Sequence, residues 1–231
     1  MKKIILTALA LGVLAGGVGF SNNQEPLLAQ ASSTHVVYNR QLTTAPTNRN
    51  VTFTGQNALY SKAGILPGAK KIVSQTGLIK LTQVTDVIFG VRAYRVAKIN
   101  NGNIYYKIVT FDGKYRGWIY GGKSSLNFAG GIKKYTTTTP IATPNPNQKF
   151  KISNADVEKQ NDVIWNAPQG TEYKVGLDSK ITDISQYKDT VFTVQRAVRT
   201  TRYKEDWYQI ASNNSELNNK WISVDDANPI K

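Results

Sequence analysis

Tyr105-Tyr106-Lys107-Ile108, followed by Arg116-Gly117-Trp118-Ile119, recurs later in the chain as Trp207-Tyr208-Gln209-Ile210 and Asn219-Lys220-Trp221-Ile222. Upstream of these blocks, Ala58-Leu59-Tyr60 and Phe89-Gly90-Val91 are matched by Val163-Ile164-Trp165 and Phe192-Thr193-Val194. Phe89 to Trp118 is a step of 29 residues, as is Phe192 to Trp221; Leu59 to Phe89 is 30 and Ile164 to Phe192 is 28. Four blocks in one order at nearly equal spacing mark an internal duplication. Within the blocks, Phe89, Val91 and Ala93 alternate with Gly90 and Arg92, and Ile104, Tyr106 and Ile108 alternate with Tyr105 and Lys107. Aromatic and β-branched residues at period two are the pattern of half-buried strands. Asn100-Asn101-Gly102-Asn103 and Asp112-Gly113 supply turn chemistry, with Gly giving positive φ. Short strands and frequent turns predict an all-β chain, each copy an antiparallel meander closing into a small barrel or sandwich. Helix signals are almost absent, with one short turn expected at Ala155 to Gln160.

Outside the copies, Thr136 to Thr139 with Pro140, Pro144 and Pro146 has the composition of an extended linker. At the start, Lys2 and Lys3 precede an uncharged run from Ile4 to Phe20, and Ala29-Gln30-Ala31 has the small-x-small pattern of a cleavage site. The run is shorter than a membrane span and is diluted by Gly12, Gly16, Gly17 and Gly19. The expected division is a signal peptide at 1–31, a first domain with an N-terminal arm at 32–135, a linker at 136–149 and a second domain at 150–231. No later segment runs apolar for long, so no transmembrane segment is expected after cleavage. The chain has no cysteine, hence neither disulfides nor a lipid-modified cysteine. Its last residues show no hydrophobic tail and no Leu-Pro-x-Thr-Gly motif, so retention at a surface is expected to be non-covalent.

The order of the blocks, an aromatic strand, a long loop, a strand pair ending in Trp/Tyr-Tyr-x-Ile and then Gly117-Trp118-Ile119, resembles the bacterial SH3-like domains, and among them the GW modules. The resemblance covers both copies, and the chain also looks like secreted surface proteins of lactobacilli. It implies two tandem SH3-like barrels on a Gram-positive surface protein, held to the wall through teichoic or lipoteichoic acid. The second copy carries Lys220-Trp221 where the first has Gly117-Trp118, which weakens the teichoic-acid implication there but not the fold.

Charge is divided unequally. Of the chain's net +14, residues 32–135 hold 15 Lys and Arg against Asp86 and Asp112, a net of +13, whereas residues 136–231 hold 12 basic and 12 acidic residues, a net of 0. Two copies built alike but charged so differently point to a polyanion at the first. The candidate polyanion contacts are Arg92, Arg95, Lys98, Lys107, Lys114, Arg116 and Lys123 along the expected sheet, with Lys70, Lys71 and Lys80 in the long loop. Candidate stacking residues are Tyr94, Tyr105, Tyr115, Trp165 and Trp207, while Trp118 and Trp221, at matched positions, are expected in the core. A basic aromatic surface also suits nucleic acid, but export makes that a poor natural partner.

Catalytic machinery is missing from the sequence. His35 is the one histidine and lies four residues past the expected cleavage site, so a Ser-His-Asp triad would depend on a chain end. With one His and no Cys, neither a zinc hydrolase nor a cysteine peptidase has its ligands or nucleophile. Glu205, Asp206, Asp225 and Asp226 are the remaining carboxylates of a conceivable glycosidase pair, but they sit in a turn and near the chain end. No catalytic residue, metal or cofactor is expected. The expected function is non-catalytic binding of an anionic cell-wall polymer by the first copy. The alternative is an adhesin whose second copy contacts a host glycan or protein.

Overall fold

The computed structural model describes residues 33–83, 90–175, 181 and 183–230. The expected signal peptide, Asp86 and Phe89 lie outside the described residues. Contacts divide the chain into Met1–Ser33 and Thr34–Lys231, and both copies belong to the second unit.

The first copy contains β1 (Val36–Gln41), β2 (Asn50–Phe53), β3 (Leu59–Tyr60), β4 (Lys71–Val73), helix α1 (Gln75–Gln83), β5 (Val91–Ile99), β6 (Ile104–Thr110), β7 (Arg116–Tyr120) and β8 (Ile132–Lys134). Its strands form one sheet in the order β4-β3-β7-β6-β5-β2-β8, with β1 also paired to β5. The central strand β6 is buried at every position except Lys107, which is why it reads as nearly continuous Ile, Val and Tyr. Gly102 takes φ +84° in the β5–β6 turn, as the Asn-Gly pair requires.

The second copy contains β9 (Thr138–Pro140), β10 (Phe150–Ile152), helix α2 (Asn154–Lys159), β11 (Thr193–Thr200), β12 (Asp206–Ala211), β13 (Trp221–Ser223) and β14 (Ala227–Pro229). One sheet runs β13-β12-β11-β9, and β10 pairs with β14. Among the described residues all strand pairings are antiparallel. The fold is all-β and SH3-like in both copies.

Each copy has the same two-part core. In the first, the main cluster includes Leu59, Ala93, Tyr106, Ile108 and Ile119, and a satellite gathers Ala63, Ala97, Ile99, Tyr105 and Trp118. In the second, Phe150, Phe192, Ile210 and Ile222 anchor the main cluster, and Ala167, Val198, Trp207 and Trp221 form the satellite. Among the described residues, every cluster draws on one side of Tyr135 only.

Three sequence expectations need correction. First, the segment expected to be a long loop contains β4 and the nine-residue helix α1. Thr76, Gly77, Ile79 and Thr82 are weak helix formers, so local propensity hid it. Leu78, fully buried, docks α1 on the core, and the Ser74 hydroxyl accepts from the Gly77 N–H as an N-cap does. Second, the Thr/Pro stretch is not a free linker throughout. β9 pairs with β11 through Thr138, Thr139 and Pro140, and Pro140 is tolerated because β9 is the edge strand. Third, the β5 block is slipped by two residues. Both copies carry a bulge, Ala93-Tyr94-Arg95 against Ile108 and Lys107, and Val194-Gln195-Arg196 against Ile210 and Gln209. The partner of Phe192 across the duplication is therefore Val91, not Phe89. A slip of two keeps every side chain on its own face, so a period-two pattern cannot detect it.

Candidate polyanion-binding face

Strand register builds a row across five strands of the first copy. Arg95 on β5 opposes Lys107 on β6, Lys107 opposes Trp118 on β7, Trp118 opposes Tyr60 on β3, and Tyr60 opposes Lys71 on β4. Residues directly opposite in a ladder share a face, and strands lie about 4.8 Å apart, so the row spans roughly 19 Å. Arg95 and Lys107 are adjacent at one end and Lys71 stands at the other, with the Trp118 and Tyr60 rings between. The Lys107 ammonium stands 5.9 Å from the Tyr94 ring centre and 6.0 Å from that of Trp118. The Arg116 guanidinium lies 5.8 Å from the same Tyr94 ring. Tyr94 is the bulged residue of β5, which explains how it joins this face out of the simple alternation.

The second copy repeats the row with different chemistry. Arg196 opposes Gln209, Gln209 opposes Trp221, and Trp221 bridges to Trp165. Arg196 holds a cation–π contact at 5.7 Å over Trp221, but Gln209 replaces Lys107 and Gln195 replaces Tyr94. The charge asymmetry of the sequence is thus expressed at matched positions of the two sheets.

Not all the expected contacts gather here. Lys71, exposed on β4, ends the row and Lys70 is exposed just before it, but Lys80 is exposed on α1 rather than in a loop. Arg95 donates to the Asn39 side-chain oxygen at 3.0 Å. Lys114 is 3.6 Å from Asp112, and Lys123 donates to the Asn101 carbonyl at 3.3 Å. Lys98 is half-buried opposite Tyr38 of β1. Arg92 is not a free surface cation. Its guanidinium donates to the Glu172 carboxylate at 3.0 Å and its side chain is only 13% exposed.

The stacking candidates also divide. Tyr105 and Trp207 are buried in the two satellite clusters and present no face to a ligand. Burial pushes the Tyr105 hydroxyl pKa up, helped by Tyr120 and Tyr60. Tyr115 is half-buried against the main core, and Trp165 is half-buried, packed edge-on to Trp207 at 5.8 Å. Tyr94 alone among the five lies beside the basic row. Trp118 and Trp221 are buried, as matched positions after a turn suggest. Tyr60 is the member that sequence reasoning missed as a functional residue. Its match to Trp165 was visible, but only strand pairing puts it beside Trp118.

The carboxylates are elsewhere. Asp206 accepts two hydrogen bonds from Arg199, at 2.6 and 2.7 Å, which hold its pKa below the usual value. Asp225 and Asp226 lie in a short 3-10 turn, and burial first, then Asp156 and Asp225, raise the Asp226 pKa. His35 is exposed. Among the described residues, no helix is long and apolar enough to cross a membrane.

The GW (Gly-Tryp) dipeptide domain model matches residues 38–121 and again 143–224, well over half of the chain. No curated protein matches. Among solved structures, one described as an autolysin from Listeria monocytogenes is 12% identical over 85% of this chain, with a TM-score of 0.35. The present chain covers 66% of that chain's length. Two matched copies of one family model, coinciding with two sheets of like register, show that the chain belongs to the GW dipeptide domain family.

Proposed function

We propose that this is an exported, non-catalytic surface protein of a Gram-positive bacterium whose first GW copy binds teichoic or lipoteichoic acid electrostatically. GW domains are cell-wall-binding modules. The observation that carries the finer reading is the row Arg95, Lys107, Trp118, Tyr60 and Lys71, against Arg196, Gln209, Trp221 and Trp165 in the neutral copy. A linear phosphate polymer laid along such a row meets charges repeatedly and releases counterions at each contact, as nucleic acids do. In this reading residues 1–31 are a signal peptide, 32–135 the wall-binding domain and 150–231 a second domain, and attachment is non-covalent.

A second reading keeps the adhesin role for the second copy. It rests on a shallow groove of about 490 Å³ lined by Thr193, Ser212, Asn213 and Asn218 together with Lys149 and the apolar Val191, Phe192 and Ala211. Amide and hydroxyl groups beside apolar side chains, with no carboxylate, suit a neutral glycan.

Sedimentation of the full chain with purified Gram-positive walls, before and after chemical removal of teichoic acid, separates the two. The polyanion reading expects binding to disappear on stripped walls and on intact walls in 1 M salt, where the screening length falls to about 3 Å. Undiminished binding under both conditions would replace it with the glycan reading.

A further inference from the structure

The two copies touch through a small set of polar contacts, and these fall on the basic side of the first copy. Segment Thr171 to Lys174 of the second copy lies against β2, β5 and β7. The buried Asn50 side chain donates to the Thr171 carbonyl at 2.8 Å and to the Thr137 hydroxyl at 3.3 Å. Arg92 donates to Glu172 at 3.0 Å. Arg116 donates to the Tyr173 hydroxyl, and its guanidinium also lies 5.5 Å from the Tyr173 ring centre, with Arg92 at 5.9 Å from the same ring. Arg49 is close enough to act on the Arg92 charge. Burial pulls the Arg92 pKa down, Glu172 opposes this, and Arg49 adds to the fall.

This charge set is unbalanced. Of the three guanidiniums only Arg92 is bonded to a carboxylate, through a single hydrogen bond to Glu172, while Arg49 donates to the Leu42 carbonyl at 3.0 Å and Arg116 to the Tyr173 hydroxyl. The Nε–H groups of Arg49 and Arg92 are buried with no protein acceptor. A guanidinium offers its Nε and Nη donors as a planar fork, which a two-oxygen anion satisfies in pairs. Buried donors left without acceptors are unfavourable, so the arrangement is under-filled for the anion it could hold.

We infer that Arg49, Arg92 and Arg116 form a phosphate-binding site at the junction of the two copies, which Glu172 occupies in the resting chain as a tethered competitor. The inference rests on the polyanion reading and extends it. The net-neutral second copy then regulates the first, because a phosphodiester group of the polymer must displace Glu172 before it gains these donors. Polymer binding and docking of the Glu172 segment are coupled, each weakening the other.

The test uses the full chain and long-chain inorganic polyphosphate at 0.1 M salt, with affinity read by titration. Glu172→Gln removes the competing charge. It is expected to tighten binding about threefold to tenfold, the range of one charge-assisted contact. Glu158→Gln, the same change of net charge on exposed helix α2, is expected to change it less than about twofold. Glu172→Asp keeps the net charge but withdraws the carboxylate, and should tighten binding about twofold or more. It also covers the case in which Glu172→Gln disturbs folding. Adding Arg92→Gln to Glu172→Gln should abolish the gain. If wild type binds polyphosphate but Glu172→Gln and Glu172→Asp match Glu158→Gln and wild type respectively, the tethered-competitor site is wrong and the basic row stands. If no variant binds polyphosphate at any salt, both are wrong.

Discussion

Asp226 shows how single residues set the chain's response to pH. Its carboxyl is half-buried in the turn Val224–Asp226, and burial first, then Asp156 and Asp225, push its pKa from 3.8 up to about 6. A folded-state pKa above the unfolded value means that the protonated form is favoured by folding. The group is therefore neutral in its effect below about pH 4 and destabilises increasingly as pH rises from there through 6. Allowing for solvent screening at a half-exposed group, the loss at pH 7 is on the order of 1–2 kcal/mol. Asp226→Asn should raise the melting temperature at pH 7 by several degrees and leave it unchanged near pH 3. An equal rise at both pH values would show that the effect is not ionisation. Asp206 behaves oppositely, since Arg199 stabilises its charged form.

At the scale of elements, the Gly-Trp dipeptide has a steric cause. A Cβ on Gly117 would lie 2.7 Å from the Tyr60 carbonyl oxygen, 2.8 Å from Leu59 Cγ and 2.9 Å from Ile72 Cδ1. Strands β3 and β4 close over β7 at this point, and the backbone oxygen cannot give way. In the second copy the matched residue is Lys220, whose ammonium reaches the Asn166 side chain at 2.7 Å, and Trp165 meets Trp221 through an isolated bridge rather than a ladder. Gly117→Ala should therefore destabilise by about 1–3 kcal/mol in urea unfolding, the usual cost of overpacking. A change below about 0.5 kcal/mol would mean that β3 yields freely. The strands themselves were legible because β6 and β12 repeat one apolar pattern. Their two-residue slip at β5 was not, since alternation is blind to even shifts, and α1 was not, since Leu78 rather than propensity holds it.

Across the molecule, sequence showed where the charge lies but not how it is arranged. The +13 of residues 32–135 is a sum over the chain, and only register places Arg95, Lys107 and Lys71 in one row with Trp118 and Tyr60 between. Arg92 reads in sequence as one more surface base, yet Glu172, 80 residues away, holds it. Tyr105 and Trp207 read in sequence as stacking rings, yet both are buried in the satellite cores. Long-range partners of this kind leave no local signal. The claim that the row itself carries wall binding is tested most directly by the salt dependence of affinity for purified walls, comparing wild type with Lys71→Gln/Arg95→Gln/Lys107→Gln. Removing one cation–phosphate pair should lower the slope of log K against log salt by roughly 0.7–0.9, so the triple variant should show a slope smaller by about 2 and bind weakly at 0.1 M salt while melting as wild type does. A triple variant that keeps the wild-type slope and affinity would contradict it.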